Sequence, residues 1–191
     1  MSMKFKTLPS ADLLREMFDV NRETGVLTWR ERPVDHFTSE HGQKIFNTKY
    51  SGRVAGTLSL RRGGRKYLTV NLGRNHRANH FLVHRIVWTI LNGEMPEGMD
   101  IDHINGNGTD NRPENLRMAS RSENICNTRP RPRKHMMPRG VYYHAHSGLY
   151  RAEIKVMGKT ISLGYYKLKS IAAVVRAKAA IKHHGAFARF N

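Results

Sequence analysis

Residues 99–124, MDIDHINGNGTDNRPENLRMASRSEN, decide the fold of the central part of this 191-residue chain. The segment begins with a short strand that ends at Asp102 and His103, passes through the Gly- and Asn-rich loop NGNGTDNRP, and returns as a second strand, NLRM. A helix follows, and its S-x-x-E spacing predicts a capping box at the first turn. We therefore expect two strands and a helix to bring Asp102, His103 and Asn124 together.

The residue types in this segment suit a single-metal site. Asp102 and Asn124 supply hard oxygen ligands, which suit one Mg²⁺ or Mn²⁺ ion that keeps several waters and a substrate phosphate. The ordinary pKa of an imidazole, about 6.5, allows neutral His103 to take a proton from a water attacking phosphorus. Asn115 is placed to hydrogen-bond across the loop and fix His103. Because the segment has no cysteine and no second imidazole, a structural zinc site is not expected.

Charge indicates a nucleic-acid partner. The chain carries 33 Lys and Arg against 15 Asp and Glu, a formal charge of +18, and its pI is about 10.6. Residues 112–191 hold 17 of the basic residues and 3 of the acidic ones. Because such an excess destabilises a compact fold unless a polyanion neutralises it, we expect double-stranded DNA as the partner. The sequence shows no obligate protein partner, and a monomer on DNA is expected.

Composition also excludes several classes of protein. One cysteine, Cys126, rules out a disulfide scaffold and a cysteine-based zinc finger. Apolar runs stay short of the roughly 18 residues of a transmembrane helix, and the start MSMKFKTLPSADLL has no signal-peptide pattern. The basic residues alternate with aromatic ones on strand-like segments, which argues against a membrane surface. We expect a reduced, cytoplasmic setting.

The first 51 residues predict few regular elements. A helix is expected over residues 10–18, with Ser10 as its N-cap and an apolar stripe on one face. A short strand ending at Trp29 follows a turn. The polar stretch 32–51 is expected to be a long loop.

A basic hairpin and a buried helix are predicted next. Residues 53–60 and 66–72 alternate in polarity around a Gly-Gly turn, which predicts a β-hairpin with a basic tip. That tip contacts the DNA backbone or is simply solvated. Residues 80–93 predict a buried helix ending at a glycine. On it, His80 and His84 have the spacing of a two-histidine metal clamp, although a hydrogen-bonded core histidine is the commoner arrangement.

The last part of the chain predicts a small module. Residues 128–138 form a basic, proline-rich linker that either tracks along phosphates or serves as a spacer. Three strands and a helix follow, with Ser170 as the expected N-cap and Gly185 just past the helix end. In the central strand, 149–156, charged residues alternate with apolar ones, so a charged sheet face is expected in solvent and an apolar face against the helix.

The central motifs carry a family resemblance. They are the blocks VHRIV (83–87), DHINGN (102–107), NL (115–116) and SEN (122–124). In this order and spacing they resemble phage-encoded HNH homing endonucleases over about residues 66–129. The resemblance implies a ββα-metal site with the metal on Asp102 and Asn124. It also implies that His103 is the general base, that Asn115 stabilises the loop, and that metal-dependent cleavage leaves 3′-hydroxyl and 5′-phosphate ends.

A second resemblance covers the C-terminal module. The blocks RGV (139–141), AEI (152–154) and LG (163–164) follow each other as in the plant Apetala/ethylene-response-factor DNA-binding domain. That resemblance implies a three-stranded sheet that enters the major groove. Tyr142 and Ser162 stand where the plant pattern has arginine and tryptophan, so the plant target sequence is not carried over. Phage homing endonucleases append this module to an HNH core.

Sixteen side chains are predicted to contact DNA. They belong to the hairpin tip, the second strand and helix of the central segment, the linker, and the sheet face of the C-terminal module. They are Arg61, Arg62, Arg65, Arg117, Arg121, Arg131, Arg133, Lys134, Arg139, Tyr142, His144, Arg151, Glu153, Lys155, Thr160 and Ser162.

The expected fold class is α+β, in four parts. These are an N-terminal α/β accessory region (1–60), an HNH ββα-metal nuclease core (61–127), the basic linker (128–138), and a domain of three antiparallel strands packed on one helix (139–191). The expected function is a site-directed, homing-type DNA endonuclease that uses one Mg²⁺ or Mn²⁺ ion in the cytoplasm of a phage host. A non-catalytic DNA-binding regulator built on an HNH-like scaffold is the main alternative, and a nonspecific colicin-like nuclease is a third.

Overall fold

A computed structural model gives the fold of the chain. It describes residues 7–61, 63–72, 80–127 and 137–188. The chain divides into two compact units, Met1–Met118 and Ala119–Asn191. Each unit mixes helices with small sheets, as the predicted α+β class requires. Within the described ranges, no helix is long and apolar enough to cross a membrane.

The first unit begins with a helix and a short hairpin. Their bounds are α1 (Ala11–Met17), β1 (Phe18–Val20) and β2 (Leu27–Trp29). Ser10 caps α1 as predicted, because its hydroxyl accepts the N–H of Leu13 at 3.3 Å. The side chains of Leu14, Phe18 and Leu27 are completely buried. Burial of each such side chain stabilises the fold by roughly 1.5–3 kcal/mol, so the hairpin is firmly anchored to the core.

The prediction of a long loop over 32–51 is wrong. A short 3-10 helix and a longer helix, α2 (Glu40–Tyr50), occupy this stretch. Ser39 caps α2 by accepting the N–H of Gly42 at 3.1 Å. Phe46 packs edge-on against Trp29, with ring centroids 5.1 Å apart. A polar helix fixed by a few aromatic contacts lacks the continuous apolar stripe that would have predicted it.

A three-stranded sheet and a helix come next in the chain, before the central segment. Their bounds are β3 (Thr57–Arg61), β4 (Arg65–Asn71), β5 (His80–Leu82) and α3 (Val83–Asn92). The predicted hairpin is present, with Leu60 opposite Lys66. The predicted helix begins at Val83 and not at His80, because His80 pairs with Asn71 in the sheet. His80 and His84 therefore do not share a helix face, and the helical spacing on which the two-histidine clamp is based is absent.

The central segment folds in the predicted order. Its elements are β6 (Met99–His103), a 3-10 turn (Pro113–Asn115), β7 (Leu116–Ser120) and α4 (Arg121–Asn127). β6 and β7 form a two-stranded sheet. The predicted capping box of α4 is present, since the Ser120 N–H donates to Glu123 Oε2 at 2.7 Å and the Glu123 N–H donates to Ser120 Oγ at 3.3 Å.

The second unit contains an antiparallel sheet and a long helix. Their bounds are β8 (Val141–His144), β9 (Leu149–Val156), β10 (Lys159–Tyr166) and α5 (Lys169–His184). β9 is central, and Val141, Ala152 and Ala172 form the buried contact between sheet and helix. Gly185 ends α5 with a positive φ of 48°. The prediction of Ser170 as N-cap is wrong, because α5 already begins at Lys169 and, among the described residues, no side chain caps it.

Candidate active site

The end of β6 carries Asp102 and His103 into the interior of the first unit. Exposure decreases along the strand until both side chains are buried, with relative exposures of 7% and 5%. A buried carboxylate and a buried imidazole both require polar partners, because desolvating such groups is costly. Their partners define the site.

The partner of His103 is the carboxamide of Asn111. His103 Nε2 lies 3.1 Å from Asn111 Oδ1, and Asn111 is also buried. An amide oxygen accepts hydrogen bonds and cannot donate them, so Nε2 must carry the proton. In the neutral imidazole Nδ1 is then the basic nitrogen, and Asn111 thereby selects which atom of His103 can accept a proton.

Burial keeps His103 neutral at physiological pH. Desolvation is the largest effect on the pKa of His103 and lowers it below the usual 6.5. The hydrogen bond with Asn111 and the charges of Asp102 and Asp110 oppose this shift, but they do not overcome it. A neutral imidazole at pH 7 is the form that a general base requires.

Two further rings pack around His103. The ring of His84, from α3, meets that of His103 edge to face at 4.7 Å, and the ring of Tyr67, from β4, lies 6.1 Å from His103. Burial, followed by the charges of His103 and Arg85, holds the pKa of His84 well below 6.5. Within the described part of the chain, His84 Nδ1 has no hydrogen-bond partner. His84 is therefore a neutral packing partner of His103.

Asp102 is paired with Arg117 of β7. Asp102 Oδ2 accepts hydrogen bonds from Arg117 Nε at 3.0 Å and Nη2 at 2.9 Å. Both side chains are largely shielded from solvent, with 7% and 16% of their area exposed. Charge-assisted hydrogen bonds of this kind compensate the burial of the carboxylate. Arg117, which the sequence predicts to contact DNA, therefore binds Asp102, which the sequence predicts to hold the metal.

Asn115 closes the loop between β6 and β7. Its Oδ1 accepts the N–H of Asn105 at 3.0 Å, and its Nδ2 donates to the Asp110 carbonyl at 2.7 Å. Its own carbonyl accepts the N–H of Ile104 at 2.9 Å. Hydrogen bonds from Arg112 and Asn105 lower the pKa of Asp110 to about 2, so its carboxylate stays charged within this network. Asn115 thus joins both ends of the loop that carries Asn111.

Comparison with known proteins identifies this segment. A family model described as HNH endonuclease matches residues 81–125. Protein 3.8 of Escherichia phage T7 is 31% identical over 109 residues, which cover 56% of this chain and 88% of that protein. The chain belongs to the same family as Protein 3.8 and carries an HNH endonuclease domain. The matched residues run from β5 into α4, and they include all four residues predicted for catalysis and metal binding.

The last of those four residues lies on α4. Asn124 follows the capping box of Ser120 and Glu123 and belongs to the second unit. Arg139 Nη1 donates to the carbonyl of Cys126 at 2.9 Å and so satisfies the C-terminal end of α4. The role of Asn124 beside Asp102 remains a prediction from the sequence.

The donor chemistry of the HNH domain fits a hard divalent cation. Among the residues that the structure describes, no cluster of three or more His, Cys, Asp or Glu could hold a metal ion. Mg²⁺ is usually held by one or two carboxylates, while water and substrate phosphate complete its coordination. The buried carboxylate of Asp102 fits that pattern, provided that Arg117 shares Asp102 with the ion or moves away from it.

The predicted DNA contacts are found in several environments. Arg62, Arg131, Arg133 and Lys134 lie outside the described residues. Arg139 caps α4, and Arg151 Nη2 pairs with Glu153 at 2.6 Å. The remaining predicted contacts, besides Arg117, are exposed: Arg61, Arg65, Arg121, Tyr142, His144, Lys155, Thr160 and Ser162.

Sequence reasoning missed Asn111 and Tyr67. Asn111 stands in a loop of similar polar residues, and its spacing from His103 does not distinguish it from Asn105 or Asn107. Tyr67 fits the ordinary alternation of polar and apolar residues in its strand, so nothing in the sequence distinguishes it. The buried state of Asn111 in a polar loop is the signal that identifies it, and that signal is visible only in the fold.

Proposed function

We propose that this protein is a homing-type DNA endonuclease that hydrolyses phosphodiester bonds by a single-metal HNH mechanism. The observation that carries the proposal is the hydrogen bond between Asn111 Oδ1 and buried His103 Nε2. In the neutral imidazole, which burial favours, this hydrogen bond leaves Nδ1 as the basic nitrogen. His103 also follows the carboxylate of Asp102 directly in the sequence. The HNH family match over residues 81–125 supports the same reaction.

Each site residue has a separate task in this proposal. His103 takes a proton from the attacking water at Nδ1, and Asn111 holds the tautomer that makes this possible. Asn115 keeps the loop closed around them. Asp102 and Asn124 hold one Mg²⁺ or Mn²⁺ ion. That ion, when bound, stabilises negative charge on the phosphate and on the departing 3′ oxygen.

DNA recognition is proposed for the basic second half of the chain. Residues 112–191 carry 17 basic and 3 acidic side chains. Lys155, Thr160 and Ser162 are exposed on β9 and β10, as a sheet that meets DNA requires. Together with the resemblance to the Apetala/ethylene-response-factor domain, these side chains favour recognition by that sheet. The backbone contacts would come from Arg61, Arg65 and Arg121.

Cleavage of cognate DNA tests the proposal. The substrate is a duplex that spans the uninterrupted insertion site of the coding sequence, with a shuffled duplex of equal length as its control. We expect Mg²⁺-dependent cleavage of the cognate duplex, with 3′-hydroxyl ends that DNA ligase can reseal. Specific binding without cleavage would instead establish the non-catalytic regulator. Equal cleavage of both duplexes would establish a nonspecific nuclease.

A further inference from the structure

Gly25, in the turn between β1 and β2, lies directly against the active-site loop. Its neighbours from Asn21 to Thr24, and Val26, are exposed, whereas Gly25 is buried. A methyl group at Gly25 would overlap the carbonyl oxygen and carbon of Asn111 and would lie 2.7 Å from the Arg112 nitrogen. The glycine therefore permits a close approach between two backbones that any other residue would prevent.

The turn that carries Gly25 is itself well fixed. Asn21 Oδ1 accepts the N–H of Glu23 at 3.0 Å and of Thr24 at 2.8 Å. The Gly25 N–H donates to the Asn21 carbonyl at 2.9 Å. The strands on either side are anchored by the completely buried Phe18 and Leu27. A side chain added at Gly25 would therefore have to displace the loop, because the turn is held by its own hydrogen bonds and by the buried strands, or strain the hydrogen bonds that hold both.

Movement of the loop would reach His103 through one residue. The backbone of Asn111 touches Gly25, and its side chain accepts the Nε2 hydrogen bond of His103. This bond has an ordinary length of 3.1 Å, and a displacement of several tenths of an ångström would break it. A displaced Asn111 would weaken or remove the hydrogen bond that places the proton on Nε2.

We infer that the β1–β2 turn is a positioning element of the nuclease site, in which Gly25 seats the backbone of Asn111 and thereby sets the tautomer of His103. This assigns a task to the N-terminal region, 1–60, whose sequence carries no recognised motif. Gly25 and Asn111 are positioning residues, since they act on the reaction through His103. The catalytic consequence rests on the proposed function, whereas the structural coupling does not.

Gly25→Ala and Gly52→Ala form a matched pair for the test. Both glycines have a positive φ, 66° and 74°, so alanine is strained in the backbone at either position. They differ in their surroundings, because Gly52 has no atom of the described residues within 4 Å of an added methyl group. Any difference between the two full-length variants therefore reports the contact with Asn111.

The first readout is the imidazole of His103 and needs no cleavage. Proteins labelled with ¹⁵N-histidine are compared by NMR at a pH above the imidazole pKa, and the His103 signal is assigned by its loss in His103→Gln. We expect wild type and Gly52→Ala to show the protonated-Nε2 tautomer with a protected Nε2–H. We expect Gly25→Ala to lose that protection, as Asn111→Ala does. A wild-type-like His103 signal in Gly25→Ala would overturn the inference.

The second readout separates positioning from general damage. Under single-turnover conditions at saturating DNA, Gly25→Ala should cleave about 10²-fold more slowly, the cost of about 1 Å of misplacement near reacting groups. DNA affinity measured in EDTA should stay unchanged. The double variant Gly25→Ala/Asn111→Ala should be no slower than Asn111→Ala, because both changes remove the same contact. Additive losses would overturn the inference.

A failure to fold and a failure of the proposed function are both distinguishable from these results. If Gly25→Ala does not fold, Asn21→Ala replaces it, since it loosens the turn without adding an atom. A reduced protection of the His103 Nε2–H is then expected, and unchanged protection would contradict the inference. If wild type cleaves no DNA but the NMR coupling holds, the proposed function is wrong and the positioning role stands.

Discussion

The guanidinium of Arg117 and the carboxylate of Asp102 form a two-pronged contact, with Arg117 Nε and Nη2 at 3.0 and 2.9 Å from the same oxygen. This places a fixed positive charge where the sequence predicts a metal ion. The two hydrogen bonds compensate the desolvation of the buried Asp102 side chain.

Removing Arg117 should be strongly destabilising. Arg117→Ala leaves the buried Asp102 charge without this partner, and we expect the free energy of unfolding to fall by about 3 kcal/mol. Arg30→Ala is the control, because it removes an exposed ion pair with Asp19 and should change stability little. Urea unfolding measures both. The double variant Arg117→Ala/Asp102→Ala should recover part of the lost stability. If it is as unstable as Arg117→Ala alone, the buried charge of Asp102 is not the reason for the loss.

Folding stability should depend on pH through His84. Burial holds its pKa in the folded protein well below 6.5, so as the pH falls below about 6.5 the unfolded state takes up a proton that the folded state does not. The free energy of unfolding should therefore decrease as the pH falls from 6.5 towards the folded pKa. His84→Leu should reduce this dependence, with His103 contributing to the slope that remains, while replacement of the exposed His41 by leucine should leave it intact. The same slope in all three proteins would contradict the account of His84.

DNA binding should weaken steeply with salt. A protein that contacts about 6–10 phosphates loses roughly 10³–10⁵ in affinity between 50 and 200 mM salt. Fluorescence anisotropy in EDTA measures the slope without cleavage. Lys155→Ala should reduce the slope if that side chain contacts a phosphate. A flat profile for the wild type would contradict backbone binding by the basic half of the chain.

The C-terminal module should affect site preference more than chemistry, but only if α4 is left intact. Deletion of residues 138–191 removes Arg139, which satisfies the end of α4, so such a truncation changes the helix that carries Asn124 as well as DNA recognition. The sharper variant is Lys155→Ala/Thr160→Ala in the full chain, which alters exposed sheet residues only. We expect discrimination between cognate and shuffled duplexes to fall while the single-turnover rate at saturating cognate DNA is kept. A lower rate with unchanged discrimination would contradict recognition by the sheet.

Elements with local signals were predictable from the sequence. The order β6, β7, α4 follows from two short strands and a capping box, whose residues lie three apart in the chain. Ser10 begins α1 and Gly185 ends α5, in both cases through hydrogen bonds within one turn of the helix. α2 was not predictable, because its packing depends on Phe46 meeting Trp29 from another element. The start of α3 was not predictable for the same reason: residues 80–82 pair with β4, so the helix begins at Val83 and not at His80.

The residues of the candidate site also fall into two groups, those that the sequence predicts and those that only the fold identifies. Asp102 and His103 stand out because an acid beside an imidazole at a strand end is a chemical motif. Asn111 and Gly25 do not stand out, because their importance arises only when a turn distant in the sequence meets the loop. The pairing of Arg117 with Asp102 depends on residues that two different strands bring together. Patterns in the sequence report chemistry that is local, whereas support from distant segments requires the fold.

Replacement of His103 tests the central claim most directly. His103→Ala and wild type are compared on the cognate duplex in Mg²⁺ for cleavage and in EDTA for binding. Loss of a general base should slow cleavage by about 10²–10⁴-fold, with DNA affinity unchanged because the His103 side chain is almost fully buried. Cleavage by His103→Ala at the wild-type rate would contradict the account.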